Sequence, residues 1–190
     1  MRSTMIERVR ARATARVERR IVAAAPHAVK YLRPVPAEEA TGLVAAVYGQ
    51  VVEDFQITAP LILHSPVPLL LAGVWTVLRE TLIAGRVPRA HKEAVATGVS
   101  QANGCPYCLT AHAMMLGGAG QAEAGEALLA GGAAEISHPV LRGLAVWASR
   151  TLAPDDPLLQ TPPFAPPEMA ELVGTAVAFH YINRMVNVPA

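Results

Sequence analysis

The chain is poor in several things. Two cysteines occur in its 190 residues, aromatic residues make up 5% and charged residues 16%. Two cysteines are too few to staple a secreted disulfide scaffold. So few aromatics disfavour a sandwich or barrel, whose strands favour aromatic and β-branched side chains. The charged fraction lies below the roughly 25% of an ordinary soluble domain, which argues against disorder. Long uninterrupted hydrophobic runs are lacking too. The most apolar stretch, from Pro66 to Ala84, is broken by Arg79 and Glu80. That is short of the roughly 20 apolar residues a membrane span needs. No secretory signal is read either, because only Ile21 to Ala25 follow Arg20 before Pro26.

What is present points to helices. Hydrophobic types make up 52% of the chain and alanine alone fills 35 positions; alanine is the best helix former. These features predict an all-α, soluble, cytoplasmic single domain, and the apolar surplus hints at oligomerisation. The formal net charge of +1 is unevenly spread. Residues 1–20 hold seven arginines and two glutamates. Ile6, Val9, Ala13, Val17 and Ile21 recur among them at steps of three and four, the period of an amphipathic helix. We read residues 1–36 as a basic N-terminal helix or arm with its linker, and 37–190 as the helical domain. The arm reads as a solvated element that packs by its apolar stripe, ahead of nucleic-acid, membrane-surface or transit roles.

Breakers divide the rest. A helix is predicted from about Ala37, with Leu43, Val44, Val47 and Val51 as its apolar positions. Ser65 and Pro66 read as N-cap and first residue of a helix running to about Ala84. Val87-Pro88 opens another, carrying Val95, Val99 and Ala102, which Asn103-Gly104 ends. Cys105-Pro106 opens the next, to about Leu116. Shorter helices follow over Gln121 to Ala130 and from Ser137-His138-Pro139, the latter with Leu141, Leu144, Ala145 and Ala148 on one face. Six prolines between residues 153 and 167 predict an extended connection. The last helix runs from about Glu168 to Val186.

The chemistry lies between Glu93 and His112. On one helix, Cys108 and His112 differ by about 40° of azimuth and Cys105 and His112 by about 20°. All three therefore share one stripe, with the cysteines at the helix start. Free N–H groups and the dipole there stabilise a thiolate, and an imidazole can hold or relay a proton. Cys-x-x-Cys spacing lets one sulfur attack and the other resolve into a disulfide. A static disulfide, a pair of buried cysteines without a role, and a zinc site also fit these residues. Zinc would take Cys105, Cys108 and His112, with Glu93 or a distant His as fourth ligand. By pattern alone Glu93 reads as solvated, since it shares a face with Ala96, Thr97 and Ser100 rather than with Val95 and Val99. His64 and His138 read as local caps or surface contacts, His91 as exposed, Trp75 and Trp147 as core, and Met114 and Met115 as packing residues. His180 and Arg184, four apart on the last helix, face the same way and can line a pocket or a subunit contact.

The run Glu93, Cys105-Pro106-Tyr107-Cys108, His112 resembles the signature of the AhpD-like alkylhydroperoxidases, within the carboxymuconolactone decarboxylase superfamily. In that signature Cys-x-x-Cys begins twelve residues after Glu and His follows four after the second Cys; the intervals here match. The helices read over Ala37–Phe55 and His64–Ala84, and the ending from Phe179 to Asn187, resemble the peroxidase-related branch. The resemblance covers roughly residues 37–187. It implies an AhpD-like multi-helix bundle, a homotrimer or homohexamer, and thiol peroxidase activity without cofactor or metal. Neither nucleic acid nor membrane is implied as a partner. By position, Cys108 would be the peroxidatic cysteine, Cys105 the resolving one, and His112 and Glu93 the proton relay. The substrate would be a hydroperoxide, and the reductant a dithiol or lipoyl-protein. Founding members commonly carry His before the second Cys, where this chain has Tyr107. Two other readings are a carboxymuconolactone decarboxylase-like enzyme and a non-catalytic oligomeric redox sensor.

Overall fold

A computed structural model describes residues 31–54 and 59–188. The basic helix read over residues 1–20 lies outside the described residues. Those described form α-helices joined by turns and short 3-10 segments, and no strand occurs among them. They fall into two compact units, one ending at Trp75 and the other spanning Thr76–Val188.

In the first unit, Ala37–Glu39 is a 3-10 turn rather than the start of a helix, because Ala40 returns to extended backbone. Helix α1, Gly42–Asp54, follows. It buries Val44, Val47, Tyr48 and Val51, and leaves Leu43 exposed. The Tyr48 hydroxyl donates to the Val35 carbonyl at 2.9 Å, and Trp75 Nε1 donates to Gln50 Oε1 at 2.8 Å. Helix α2, Ala59–Ile62, is a single turn, and α3 runs Pro68–Leu78. Ser65 does not cap α3. Its hydroxyl donates back to the Ile62 carbonyl at 2.6 Å and accepts from the Val35 N–H at 2.7 Å. The helix therefore starts two residues beyond Pro66. Its predicted continuation to Ala84 is instead a π-helical turn, Arg79–Ile83.

The second unit is built around α4, Arg89–Ala102. Every residue from Lys92 to Ser100 is buried, so the helix has no solvent face; a helix enclosed on all sides is a core helix. It packs against α5 (Pro106–Gly118), α7 (Pro139–Arg150) and α8 (Met169–Asn187), and α6 (Ala122–Ala130) packs against α5. Small residues make the enclosure possible. At Gly98 a Cβ would lie 2.3 Å from the Ala145 carbonyl oxygen, so the α4 and α7 backbones touch there. The predicted face of α7 is the one it buries: Leu141, Leu144, Ala145 and Ala148. His138 is its N-cap, accepting from the Leu141 N–H. The proline-rich stretch is not wholly extended. It holds 3-10 turns at Pro157–Leu159 and Pro166–Glu168, where proline occupies the first position.

An ion pair ties the start of α4 to the start of α8. Lys92 is buried, and its Nζ lies 2.5 Å from Glu171 Oε2 and donates to the Ala84 carbonyl. The Glu171 carboxylate also accepts the Arg86 and Val87 N–H groups at 2.9 and 3.2 Å. Burial acts to raise its pKa, but these bonds and the lysine charge outweigh burial and hold it below the usual carboxylate value.

Candidate functional site

The turn from α4 into α5 sets the position of both cysteines. Asn103 N–H closes on Val99, and Gly104 adopts a left-handed φ of 59°, which glycine tolerates best. Cys105 then becomes the N-cap of α5 with Pro106 as the first helical residue. Its side chain makes no capping hydrogen bond, though the Cys108 side chain and the N–H groups of Tyr107 and Cys108 act to favour its thiolate. Both cysteines are free, 1% and 2% exposed.

These contacts divide the charge between the sulfurs. The bond from the Cys108 thiol is the main reason the Cys105 pKa falls to about 7. Burial opposes that fall, and the two backbone bonds assist it. Cys108 is pushed up, first because its thiol donates that bond, then by burial and by the nearby Cys105 charge. A hydrogen bond from the Asn183 side chain acts the other way on Cys108, favouring its thiolate. Tyr107 is pushed up to about 12, by burial and then by the charges of Cys108 and Cys105, and stays a neutral phenol.

Two turns along α5, His112 is buried and its Nδ1 lies 2.7 Å from Glu93 Oε2. A carboxylate only accepts, so Nδ1 donates this hydrogen bond. The imidazole packs edge-on against Phe179, centroids 4.3 Å apart. Glu93 is 0% exposed, against the solvated position that its face suggests. The periodicity argument fails because α4 is enclosed on every side, so no face of it leads to water. Arg89, one turn earlier, donates through Nε to the other oxygen, Glu93 Oε1, at 2.5 Å. The buried carboxylate thus has a cation on one oxygen and an imidazole on the other, which is what keeps a buried charge tolerable. The Arg89 Nη2 also reaches the Met115 sulfur at 4.0 Å.

The structure pairs Glu93 with His112 and Cys105 with Cys108, on the N-terminal two turns of one helix and the helix beneath it. Sequence reasoning missed Arg89. The signal for Arg89 was its spacing of four residues from Glu93. Phe179 and Asn183, also four apart, share the face of α8 that meets the site. His180 is turned to a neighbouring network: its Nδ1 lies 3.1 Å from Asn103 Nδ2 and its Nε2 2.7 Å from Thr151 Oγ1. Arg184 donates to the His180 carbonyl at 2.6 Å. His64, with its Nδ1 3.2 Å from the Leu61 carbonyl, is buried. His91 is half-buried rather than exposed. Met114 is 67% exposed and does not pack, because it lies on the side of α5 turned away from α4. Trp75 and Trp147 are core, the latter edge-on to Phe164 at 4.9 Å. Among the described residues, no three His, Cys, Asp or Glu side chains are grouped as ligands for a metal ion. No helix among them is long and apolar enough to cross a membrane.

The profile of the carboxymuconolactone decarboxylase family matches residues 68–147. A Mycobacterium tuberculosis protein named alkyl hydroperoxide reductase is 43% identical over 159 residues, which is 83% of this chain and 45% of that protein. The chain therefore spans less than half the length of the curated relative it matches. No solved structure matches the chain. The helical fold, the Glu93–Cys105–Cys108–His112 arrangement and these similarities agree: residues 68–147 form a carboxymuconolactone decarboxylase family domain, and the chain is similar to AhpD-like proteins.

Proposed function

We propose that the protein is a thiol-dependent peroxidase that reduces hydrogen peroxide or organic hydroperoxides through Cys105 and Cys108. The observation that carries this reading is a buried cysteine pair at a helix N-terminus, two turns from an imidazole paired with a buried carboxylate. Cys108 attacks. Its proton passes to the Cys105 thiolate or to the His112 imidazole, with Glu93 and Arg89 stabilising the imidazolium. The Cys108 thiolate then displaces alkoxide or hydroxide from the peroxide O–O bond and becomes a sulfenic acid, while the leaving oxygen takes up the relay proton. Cys105, the more acidic thiol, attacks the Cys108 sulfur and forms a disulfide as the sulfenic oxygen leaves as water. A dithiol or lipoyl-protein restores both thiols by exchange and is itself oxidised to a disulfide.

The same reading makes the protein a cytoplasmic homotrimer or homohexamer. Exposed Leu69, Leu70 and Val77 on α3, and Val173 and Val177 on α8, are apolar side chains that a subunit contact would cover. The test is steady-state peroxide consumption with several dithiols, on the wild type and Cys108→Ser together. Turnover that disappears in the variant supports the proposal, and unchanged consumption refutes it. The family match also favours a decarboxylase-like reading, which predicts activity on a lactone or carboxylate substrate that survives replacement of both cysteines.

A further inference from the structure

Three residues of α8 close on the turn that carries Cys105. Asn103 follows α4 directly, and Cys105 caps the start of α5 two residues later. The Asn103 amide donates to Asn183 Oδ1 at 2.9 Å, and its Nδ2 lies 3.1 Å from His180 Nδ1. The Asn103 carbonyl accepts from Asn187 Nδ2 at 3.4 Å. His180, Asn183 and Asn187 stand three and four apart, so one face of α8 makes all of these bonds. Asn183 also donates to Ser100 Oγ at 3.2 Å, and the Ser100 carbonyl accepts the Cys105 N–H at 3.0 Å. Both ends of the turn are therefore held from the same helix.

The donors and acceptors fit together in one arrangement. The Thr151 hydroxyl has one proton and gives it to the Ala148 carbonyl at 2.6 Å. Its oxygen must then accept from His180 Nε2, 2.7 Å away. A neutral ring with its proton on Nε2 keeps a lone pair on Nδ1, facing the Asn103 NH2 group. Burial, and then the charge of Arg184, lower the His180 pKa and favour that neutral ring. Both amide protons of Asn103 are thus used, one on His180 and one on Asn183. A proton on Nδ1 would meet the NH2 group instead. Turning Asn103 over would set its oxygen against Asn183 Oδ1. Ser100 holds that oxygen in place, because its hydroxyl donates to the Ala96 carbonyl at 2.7 Å and so accepts from Asn183.

We infer that Asn103 is a positioning residue for Cys105: α8 clasps it and keeps the cysteine turn shut, with Thr151 setting the His180 tautomer on which the clasp depends. The purpose of the clasp rests on the peroxidase reading. Cys105 is held where it can close a disulfide with Cys108, and it is shielded from thiols in solution.

The test needs no peroxide. In Cys108→Ser, Cys105 is the single thiol. Its alkylation by iodoacetamide is timed in the native protein and in the denatured chain at the same pH. The ratio of the two rates reads how well the fold shields it. Adding Asn103→Ala is expected to lower that protection about tenfold, the effect of losing one to two hydrogen bonds that oppose local opening. Unchanged protection overturns the inference. Thr151→Val is the second variant, and it alters no residue of the turn. It lets the His180 proton move to Nδ1, so protection must fall there too, by less; no fall overturns the inference. If circular dichroism shows that Asn103→Ala has lost helix, Thr151→Val decides alone. Lowered protection in a protein that does not turn over peroxide would refute the peroxidase reading and leave the clasp standing.

Discussion

Gly98→Ala sets two effects of opposite sign against each other. Gly98 lies inside α4, where replacing glycine by alanine favours the helix by about 1 kcal/mol. Against that gain, the new Cβ would sit 2.3 Å from the Ala145 carbonyl oxygen, 3.0 Å from its carbon and 3.1 Å from its Cα. Ordinary contacts between such atoms lie near 3.5 Å or beyond, so α4 and α7 would have to separate by roughly 1 Å. No side chain can rotate to relieve the clash, because the neighbour is backbone. Overpacking a tight core costs about 1–3 kcal/mol, and a rigid backbone contact belongs at the upper end. The net effect is a loss of about 1–2 kcal/mol, or roughly 2–8 °C in Tm for a protein of this size. Gly49 in α1 is the control. Its Cβ would meet nothing within 4 Å, so Gly49→Ala keeps only the propensity gain and Tm rises. Thermal unfolding followed by far-ultraviolet circular dichroism measures both. A Gly98→Ala protein as stable as the wild type would refute the close approach of α4 and α7.

Two further predictions concern charge. Arg89→Ala removes the cation from one oxygen of the buried Glu93 and weakens its hold on the His112 proton. Peroxide turnover should fall about tenfold, a part of the 10²–10⁴-fold that a positioned acid–base group typically contributes. Arg89→Lys should recover part of it, and equal turnover in Arg89→Ala would exclude the arginine from the relay. The second prediction concerns Glu171. Its folded-state pKa is depressed, so the stability it adds is present above its unfolded value of about 4.5 and is lost as pH falls through the lower folded value. Denaturant midpoints should therefore drop on acidification through that window, less steeply in Glu171→Gln; identical acid slopes would count against the Lys92–Glu171 pair as a source of stability.

The cysteine pair was legible because its geometry is local. A cap, a proline and a spacing of seven residues along one helix place Cys105, Cys108 and His112 without reference to the rest of the chain. The α7 face was legible for the same reason, since one side of that helix meets the core and the other does not. Glu93 was not legible by pattern, because periodicity reports a face only when a helix has one, and α4 is enclosed. Ser65 misled because its hydroxyl bonds backward to Ile62, and a serine before proline looks the same whichever way it turns. Asn183 carries no signal of its own along α8. Its amide meets that of Asn103, 80 positions away in the chain, and only folding brings the two together.

The depth of the two sulfurs, 1% and 2% exposed, has a kinetic consequence. A reductant must approach a disulfide along the line of the two sulfurs, and cysteines this deeply buried offer it no open path. Exchange must therefore wait for the turn to open and reclose. Under the peroxidase reading, the rate of reduction should level off as dithiol is added, at a first-order limit set by the protein and shared by chemically different dithiols. The site would act as a clock for its own regeneration, with the frequency of helix fraying, rather than the strength of the reductant, setting the pace.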